Sequence, residues 1–574
     1  MGILDAPSLL RAAGNRKLSV RNHRFTLPNR QNAVTVMANP PAWTFTTSNP
    51  IASPMSYLAI QTTNAGAVSK LDGSWCAYFG AASPVRLGNS SPSYNAIGFS
   101  SVQKLGVPSW TSAIASFMTS AASIAIAVVN PSGGLGGTGA VNVKIDDQYI
   151  TMPEQVVPGD GNTYYLYVPL STLQVASKVR RIDVQLAMCG FIGVYVPNGA
   201  WCAPAPKRGP TTIIVGDSYT YGQGAITPLG GWARRFADTL GWDDVHQSGV
   251  SGTSYAHANG ASVAYTGRLT SDVYAINPEV VIWTGGINDW QLGGPTSLST
   301  FQAAALQCAQ GVQQNLPNAL QIFVAPFYPG GASVIPAGFI AYRDALKAIA
   351  AQVNGLFVDH LEPTLPTGVT ALATTGTATS GSATITMQDQ PVQRATYKWT
   401  NGERFQCRSF SGTGPYTVTA DAGQLNSHSS ETIVQCGSPL IIGGGHASTI
   451  QSTARVGGSG GTDGTYAMIF TVAASPSNII RQPAGTFTVT GGAVVSQTYT
   501  DTGQFSSTTA PTVSLANCPG LAGASITLTL SSGPQGYGNS DIEVGSDALH
   551  PLQPGHDNYG QNIGYLLMQA LGPN

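Results

Sequence analysis

The sequence predicts a multidomain protein in which a doubly wound, three-layer α/β core carries an N-terminal jelly-roll-like β-sandwich and a long all-β insertion. Three observations lead to this prediction. Short apolar runs alternate with helical patterns in residues 206–362, which is typical of a parallel sheet covered by helices. Residues 51–205 and 363–540 contain short strand-like runs between turn residues. The helical pattern resumes in residues 541–574.

The composition argues against several classes of protein. The 574 residues include 26 basic and 27 acidic side chains, and this near balance argues against a nucleic-acid partner. The 68 glycines and 37 prolines indicate many turns, but they stay below the level of about 25–30% that is typical of disorder. The longest apolar run, Ala121–Val129, is too short to span a membrane. We therefore expect a folded protein without membrane insertion.

The cysteines and the N-terminus give weaker information. Seven cysteines include no Cys-x-x-Cys pair, which argues against a zinc site and a disulfide framework. The sequence leaves undecided whether Cys407 and Cys436 form a disulfide bond. The early Asp5 and Pro7 are unlike a secretory signal. Residues 1–50, with the basic cluster Arg11–Arg24, could be a docking arm or an irregular start.

Residues 51–205 predict a β-sandwich of jelly-roll type, because short strands recur at regular spacing. The clearest of these strands are Ala140–Ile145, Thr163–Val168, Arg180–Leu186 and Gly190–Val196. Tyr164, Tyr165 and Tyr167 could stack on sugars, but their place in a strand favours core or cross-strand pairs.

The stiff linker Pro204–Pro210 precedes the predicted α/β core. Its buried strands are predicted at Thr211–Val215, Val280–Trp283, Gln321–Ala325 and Leu356–Val358. Apolar residues recur at steps of three and four from Leu298 to Leu316 and from Phe339 to Val353, which predicts two surface helices packed on the sheet. A last helix is predicted from about Tyr559 to Leu571.

The insertion, residues 363–540, is rich in Gly, Ser and Thr and alternates as strands do. We interpret it as one or two β-modules, with a boundary near Cys436–Gly445. The segment Gly457–Leu530 resembles a Gly-rich β-module that recurs in phage tail and fibre proteins.

Four short blocks of this sequence carry residues suited to acyl-transfer chemistry. The strand Thr211–Val215 runs directly into Gly216-Asp217-Ser218, which places a serine where open α/β folds bind their ligands. The other three blocks are Gln247–Gly252, Gly285–Asp289 and Asp547–Pro551. In order and residue type the blocks resemble the GDSL/SGNH hydrolase family, whose blocks supply Ser, Gly, Asn and His. This resemblance covers about residues 211–362 and 542–574.

The resemblance implies a role for one residue of each block. Ser218 would be the nucleophile and His550 the general base that removes its proton. Asp547 would orient the imidazole ring, which gives the chain order Ser, Asp, His. The amides of Ser218 and Gly249 and the side chain of Asn288 would hold the oxyanion. This mechanism needs no metal and no cofactor.

The sequence departs from the usual family residues at two positions, and some block residues also have non-catalytic explanations. Tyr219 replaces a common Leu, which should change the pocket wall, and Gln247 replaces a common Asn before Gly249. Asn288 could simply belong to a strand-end turn, and His550 could mark a helix entry. Four histidines match no block, and we expect surface or supporting roles for them: His246, His257, His360 and His556.

The resemblance implies a serine esterase, and a jelly-roll ahead of the hydrolase domain is typical of family members that deacetylate carbohydrates. Together with the phage-like module, it leads us to expect a virion tailspike or fibre that removes O-acetyl or similar groups from a bacterial surface polysaccharide. Such a protein would be released by host lysis, would contact other virion proteins and could be a homotrimer. Two alternatives stay open: a non-catalytic structural or receptor-binding virion protein, and a lipid esterase acting on the host envelope.

Overall fold

The computed structural model describes most of the chain between residues 37 and 571. The described residues are 37–48, 55–59, 75–80, 83–87, 96–100, 112–130, 139–151, 154–173, 179–260, 262–291, 296–329, 337–361, 371–380, 382, 384–392, 395–401, 404–420, 426–437, 450–471, 479–481, 483–501, 504–505, 510–530 and 549–571. The basic cluster Arg11–Arg24 lies outside them, as does most of the predicted module boundary Cys436–Gly445.

The chain divides into two compact units. The first extends to Pro326 and adds Ala341–Val358 and the chain from His556 onward. The second comprises Phe327–Ile340 and Asp359–Gly555. The first unit therefore holds a β-sandwich and an α/β layer, and the second is mainly β-structure.

The sandwich consists of two antiparallel sheets around one apolar core. Its strands are β1 (Thr44–Thr46), β2 (Met55–Ala59), β3 (Ala77–Phe79), β4 (Ser83–Leu87), β5 (Ala96–Ser100), β6 (Ala113–Thr119), β7 (Ile124–Val129), β8 (Gly139–Ile145), β9 (Gln148–Tyr149), β10 (Gln155–Val157), β11 (Thr163–Val168), β12 (Arg180–Ala187), β13 (Gly190–Pro197) and β14 (Cys202–Pro204). One sheet has the order β1-β11-β7-β13-β5-β4, with β2 beside β13, and the other has the order β10-β8-β12-β6-β14, with β3 and β9 attached.

Both sheets contribute to the sandwich core, in which Ile126 and Phe191 of the first sheet join Val143 and Val184 of the second. A jelly-roll connectivity stays a prediction. The β11 tyrosines form cross-strand aromatic pairs: Tyr164 stacks on Phe45 with ring centroids 5.1 Å apart, and Tyr165 lies 5.9 Å from Tyr195.

The α/β layer is built on a parallel sheet, which confirms the predicted mixed α/β core. Its strands are β15 (Thr212–Gly216), β16 (Val245–Gly249), β17 (Val280–Trp283), β18 (Leu320–Val324) and β19 (Leu356–Val358), in the order β16-β15-β17-β18-β19. Its α-helices are α1 (Ser218–Tyr221), α2 (Trp232–Leu240), α3 (Ile287–Gln291), α4 (Leu298–Asn315), α5 (Ala337–Gln352) and α6 (Gln553–Leu571). Short 3₁₀ or π turns lie at Leu170–Thr172, Pro228–Gly230, Tyr265–Gly267 and Leu269–Tyr274.

The helices follow the predicted apolar faces, with one difference in length. Helix α4 buries Phe301, Cys308 and Val312, as the three-and-four spacing predicts. Helix α6 begins six residues earlier than predicted, because Pro554 is tolerated in a first helical turn. Among the helices of the described ranges, none is long and apolar enough to cross a membrane.

Buried charges join the sandwich to helix α2. Asp238 forms an ion pair with Lys144 of β8 at 3.2 Å and accepts hydrogen bonds from Tyr149 and from Gln185 of β12 at 3.0 Å. Arg234, one turn earlier on α2, pairs with the same carboxylate at 3.0 Å. Burial opposes ionisation of Asp238, but the charges of Arg234 and Lys144 outweigh it and hold the pKa of this carboxyl well below its usual value.

A second buried ion-pair cluster fastens the linker to both layers. Arg208, inside the Pro204–Pro210 segment, reaches Asp183 of β12 at 3.0 Å and Asp243 of the α/β layer at 2.8 Å. Arg181 contacts the same two carboxylates at 2.9 and 2.8 Å. The linker is therefore part of a packed interface between the two layers.

The second unit contains a closed barrel with strand order β20-β21-β24-β23-β22-β25. The strands are β20 (Ala373–Ala378), β21 (Thr384–Met387), β22 (Thr396–Trp399), β23 (Arg404–Ser411), β24 (Tyr416–Ala420) and β25 (His428–Gly437). Ile385, Tyr397 and Phe405 fill the interior, together with Cys407. Cys407 is a free thiol whose pKa burial raises to about 12.

A second β-module follows the barrel. Its strands are β26 (Ile450–Val456), β27 (Gly464–Ala467), β28 (Ile469–Thr471), β29 (Ile479–Arg481), β30 (Ala484–Thr490), β31 (Ala493–Asp501), β32 (Gln504–Phe505), β33 (Thr512–Ser514) and β34 (Ser525–Leu530). Strand β34 alternates exposed Ser and Thr with the buried Ile526, Leu528 and Leu530, and these apolar residues pack with Phe487. One face of the strand is therefore apolar and the other is polar.

We predict that Asp238→Asn destabilises the first unit by about 3–5 kcal/mol, because it leaves Lys144 and Arg234 buried without their carboxylate. Denaturant-dependent hydrogen exchange of the β15–β19 amides would measure this loss. Since folding lowers the pKa of Asp238, its contribution is complete above the unfolded value near 3.9 and is lost at lower pH. The difference between the two proteins should therefore shrink below about pH 4.

The matched control is Asp344→Asn, which makes the same chemical change at a carboxylate that is 56% exposed. Its effect should stay within about 0.5 kcal/mol. Equal losses of stability in both variants would show that the buried ion pairs of Asp238 stabilise the unit no more than an exposed carboxylate does.

Candidate active site

The candidate site lies at the carboxyl edge of the parallel sheet, where the strand order reverses between β15 and β17. Open α/β sheets bind their ligands at such a point. Strand β15 ends at Gly216, Asp217 caps the following turn, and Ser218 begins α1. The Asp217 carboxylate accepts a hydrogen bond from the Tyr219 amide at 3.0 Å, which fixes the tight strand-to-helix turn around Ser218.

Two glycines allow helix α1 to lie directly on the strand ends. Gly216 and Gly249 are register partners in the parallel ladder. A Cβ atom at Gly249 would collide with the backbone of Thr220 and Tyr221, and one at Gly216 would collide with the Thr220 hydroxyl. Only glycine permits this approach, which brings the turn at Ser218 against Gly249. Gly249 is the last residue of β16, so the block Gln247–Gly252 begins within this strand.

The strand on the other side of β15 leads to Asn288. After β17, Gly285 and Gly286 have φ values of 127° and 114°, a region that favours glycine. Helix α3 then carries Asn288, which is buried. Its Nδ2 atom donates to the Thr253 carbonyl at 2.9 Å. This bond orients the amide, and Nδ2 carries a second N–H that could serve an oxyanion.

Asp289, the neighbour of Asn288, anchors the loop that holds the asparagine. Its carboxylate accepts from the Ala256 amide at 3.2 Å, and the Gly286 amide donates to Ser254 Oγ at 2.8 Å. Burial raises the pKa of Asp289, and the hydrogen bond with Ser254 and those from backbone amides oppose this rise. Sequence reasoning assigned Asp289 no such role, because its partners lie on a separate loop.

His556 connects the last helix to the segment that follows the serine. Its Nδ1 accepts from the Trp232 amide at 3.3 Å, and its Nε2 lies 2.9 Å from the Gln223 carbonyl. This pattern requires a neutral ring with the proton on Nε2. His556 is fully buried, so it has a supporting role and not a surface one. No local pattern indicates this role, because the partners of His556 lie more than 300 positions away in the chain.

The predicted triad is described only in part. Ser218 is buried at the sheet edge, and His550 is half-buried in the second unit, three residues before α6. Asp547 lies outside the described residues. The structure thus brings Ser218, Gly249 and Asn288 to neighbouring strand ends, while the roles of all five residues stay predictions. Within the described part of the chain, no group of three His, Cys, Asp or Glu side chains could hold a metal ion.

A known family model matches the part of the chain that carries this sheet edge. Residues 214–377 match the model of the GDSL-like Lipase/Acylhydrolase family. This range includes Ser218, Gly249 and Asn288. No curated protein sequence matches the chain.

Several solved structures are similar over about half of this chain. A salicylyl-acyltransferase, SsfX3, from a tetracycline biosynthetic pathway is 17% identical, with 50% of this chain and 83% of that chain covered and a TM-score of 0.37. A carbohydrate esterase of family 2 from Corynascus thermopiles is 20% identical, with 50% and 89% covered and a TM-score of 0.33. The acetyl xylan esterase Est2A from Butyrivibrio proteoclasticus is 13% identical, with 54% and 90% covered and a TM-score of 0.36.

We predict that Asn288→Ala lowers kcat for p-nitrophenyl acetate by about 10²–10³ and changes KM little, because an oxyanion donor acts mainly in the transition state. Steady-state kinetics would measure both constants. Asn315→Ala is the matched control, since this exposed asparagine also donates to a backbone carbonyl at 2.9 Å. A raised KM with unchanged kcat would instead make Asn288 a substrate-binding residue.

Proposed function

We propose that this carboxylic ester hydrolase of the GDSL/SGNH type removes O-acetyl or similar short acyl groups from a polysaccharide. One observation carries the proposal: three residues lie at the ends of adjacent strands of one parallel sheet. Gly249 ends β16, Ser218 follows β15 and Asn288 follows β17, and the strands are adjacent in the order β16-β15-β17. A serine hydroxyl and three potential N–H donors therefore share one edge, which is the arrangement that acyl transfer requires.

In the proposed reaction, the Ser218 hydroxyl attacks the ester carbonyl while His550 takes its proton. Asp547 would hold the imidazolium in the correct orientation. The amides of Ser218 and Gly249 and the Asn288 side chain would stabilise the tetrahedral oxyanion. Collapse of this intermediate transfers the proton to the sugar oxygen and releases the alcohol. His550 then takes a proton from water, which attacks the acyl-serine carbonyl, and collapse of this second intermediate returns the proton to Ser218 and releases the carboxylic acid.

Aromatic side chains pack beside the end of β17. The buried ring of Tyr255 lies 5.0 Å from Tyr265 and 5.4 Å from Phe301, between ring centroids. Burial raises the pKa of both tyrosines well above its usual value, and the nearby Asp217 carboxylate adds to this rise. The Tyr265 hydroxyl also donates to the Thr284 carbonyl at 2.9 Å, so this packing lies beside the end of β17.

The first unit also offers support for a polymeric substrate. The chain leaves this unit for the last time at Val358, the carboxyl end of β19, and re-enters it at His556, which is hydrogen-bonded to the Gln223 carbonyl. The point of return therefore contacts the segment that follows the serine. Tyr221, at the end of α1, is 38% exposed, and Ile226, in the loop that follows, is 58% exposed; both could contact sugar rings. We infer that the insertion, residues 363–540, binds the chain whose esters are cleaved.

The sequence resemblance of Gly457–Leu530 to a phage tail and fibre module supports a virion role. In this proposal the protein is a tailspike or fibre component that acts outside the cell on a bacterial surface polysaccharide. Its partners would be that polysaccharide and other virion proteins, and its assembly would be a homotrimer. Size-exclusion chromatography with light scattering would test the assembly directly.

We predict that Ser218→Ala and His550→Ala each lower kcat for p-nitrophenyl acetate more than about 100-fold, because they remove the nucleophile and its base. Ser299→Ala, an exposed serine on α4, is the control and should retain full activity. Acetate release from a panel of bacterial polysaccharides would identify the natural ester. A folded wild-type protein that hydrolyses none of these esters would contradict the proposed function.

We also predict that replacing Thr367–Ser540 by a short Gly/Ser linker separates two activities. Hydrolysis of small acetyl esters should stay near normal, while deacetylation of the polymer should fall about tenfold or more, because remote binding energy of about 1.4 kcal/mol is lost. Equal retention of both activities would make the insertion a spacer. Loss of both in a folded variant would show that the insertion helps to position Asp547 and His550.

A further inference from the structure

A buried arginine connects the ends of the two strands that carry Ser218 and Gly249. Arg268 donates through Nη2 to the Gly216 carbonyl at 2.8 Å, two residues before the serine. Through Nη1 it donates to the carbonyl of Ser248 at 3.2 Å and to its hydroxyl at 3.1 Å. Ser248 directly precedes Gly249, so one planar guanidinium sets the separation of these two strand ends.

Tyr265 extends the same contact to the third strand. The guanidinium carbon of Arg268 lies 4.7 Å from the centroid of the Tyr265 ring, an attractive cation–π arrangement. The Tyr265 hydroxyl donates to the Thr284 carbonyl at 2.9 Å. Thr284 follows the last residue of β17, and the chain continues from it to Asn288. Together the two side chains contact the ends of all three strands.

The charge of Arg268 is compensated inside the unit. Asp272, four residues later, lies 3.3 Å from Nη1 and accepts from the Ser248 hydroxyl at 2.6 Å. Arginine presents its N–H donors in a rigid, planar fork, whereas lysine carries a compact ammonium on a flexible stem. A lysine at position 268 would keep the charge but would lose the fixed bridge between the Gly216 and Ser248 carbonyls.

We propose that Arg268 and Tyr265 are positioning residues that set the geometry of the oxyanion donors. Arg268 acts on the amides of Ser218 and Gly249, and Tyr265 acts on Asn288. The inference rests on the proposed esterase function. Its physical basis is that catalysis depends steeply on geometry, since a displacement of about 1 Å can cost about 100-fold in rate.

The test measures kcat and KM for p-nitrophenyl acetate in Arg268→Lys and Tyr265→Phe. Arg268→Lys should lower kcat by about 10- to 100-fold with KM unchanged. Tyr265→Phe, which removes a single hydrogen bond, should lower kcat by about three- to tenfold. The inhibition constant of a boronic acid, which forms a tetrahedral adduct on the serine, should rise by the same factors.

The matched control is Arg234→Lys. Arg234 is also buried, pairs with an aspartate four residues later and donates to a backbone carbonyl, that of Trp242, at 3.0 Å. It lies on α2, and none of the hydrogen bonds described for it reaches the end of β15, β16 or β17. Its replacement should lower the thermal unfolding temperature but leave kcat unchanged.

A double-mutant cycle separates positioning from general stability. In an Asn288→Ala background, Tyr265→Phe should have almost no further effect, because the donor that it positions is gone. Arg268→Lys should still lower kcat there, since it acts through the two amides. The proposal would be overturned if Tyr265→Phe lowered kcat by the same factor in the Asn288→Ala background as in the wild type. It would also be overturned if Arg268→Lys kept kcat within twofold of the wild-type value. An equal loss of kcat in Arg234→Lys would overturn it as well.

The wild-type and Ser218→Ala proteins, measured in the same assay, identify which idea has failed. If the wild type is inactive, or if Ser218→Ala is equally active, the esterase function fails and the positioning role falls with it. If activity depends on Ser218 but the Arg268 and Tyr265 variants keep their kcat, only the positioning role is wrong. Should Arg268→Lys not fold, Tyr265→Phe and its cycle with Asn288→Ala decide the question.

Discussion

The geometry of the candidate site depends on the absence of side chains where β15, β16 and α1 meet. Gly216 and Gly249 are register partners, and the backbone of α1 occupies the space that a Cβ atom at Gly249 would need. This close approach brings the turn that bears Ser218 against the end of β16. A larger residue at either position would push the helix away from the strands. The alignment of serine and backbone donors is therefore a consequence of backbone packing.

The sandwich contributes to the same region through helix α2. On one side, α2 is held by Lys144 and Tyr149, which contact Asp238. On the other side, Arg235 of α2 donates to Asp557 of the last helix at 2.6 Å. The sandwich thus holds helix α2 in place, and α2 in turn contacts the first turns of helix α6. This arrangement makes the N-terminal β-sandwich a structural part of the first unit.

Buried ion pairs and hydrogen bonds connect separate elements of this unit, although burying a charge has an energetic cost. An arginine without its carboxylate would be strongly destabilising in the interior, so each buried charge needs its partners in place. Arg268 meets this condition through Asp272, and Arg234 meets it through Asp238. Such networks are sensitive to geometry, which suits them to holding strand ends at fixed separations.

Features that arise from local chemistry could be predicted from the amino-acid sequence. The apolar run of Val280–Trp283 coincides with β17, and β15 and β18 each differ from prediction by a single position. Strand ends, glycine turns and helix faces have a short-range cause in side-chain shape, backbone freedom and periodicity. For this reason the sequence is sufficient to predict the α/β core and to place Ser218 at a strand end.

The distant side chains that support that edge are selected by long-range packing. Arg268 and the Gly216 carbonyl are 52 positions apart, and His556 and the Trp232 amide are 324 apart. No local pattern marks such pairs, because a buried arginine or histidine is chosen by the partners that folding brings to it. The same reason explains why Lys144 and Asp238 could not be paired from sequence. Only the packed layers determine which charges meet, and therefore how rigidly the strand ends are held.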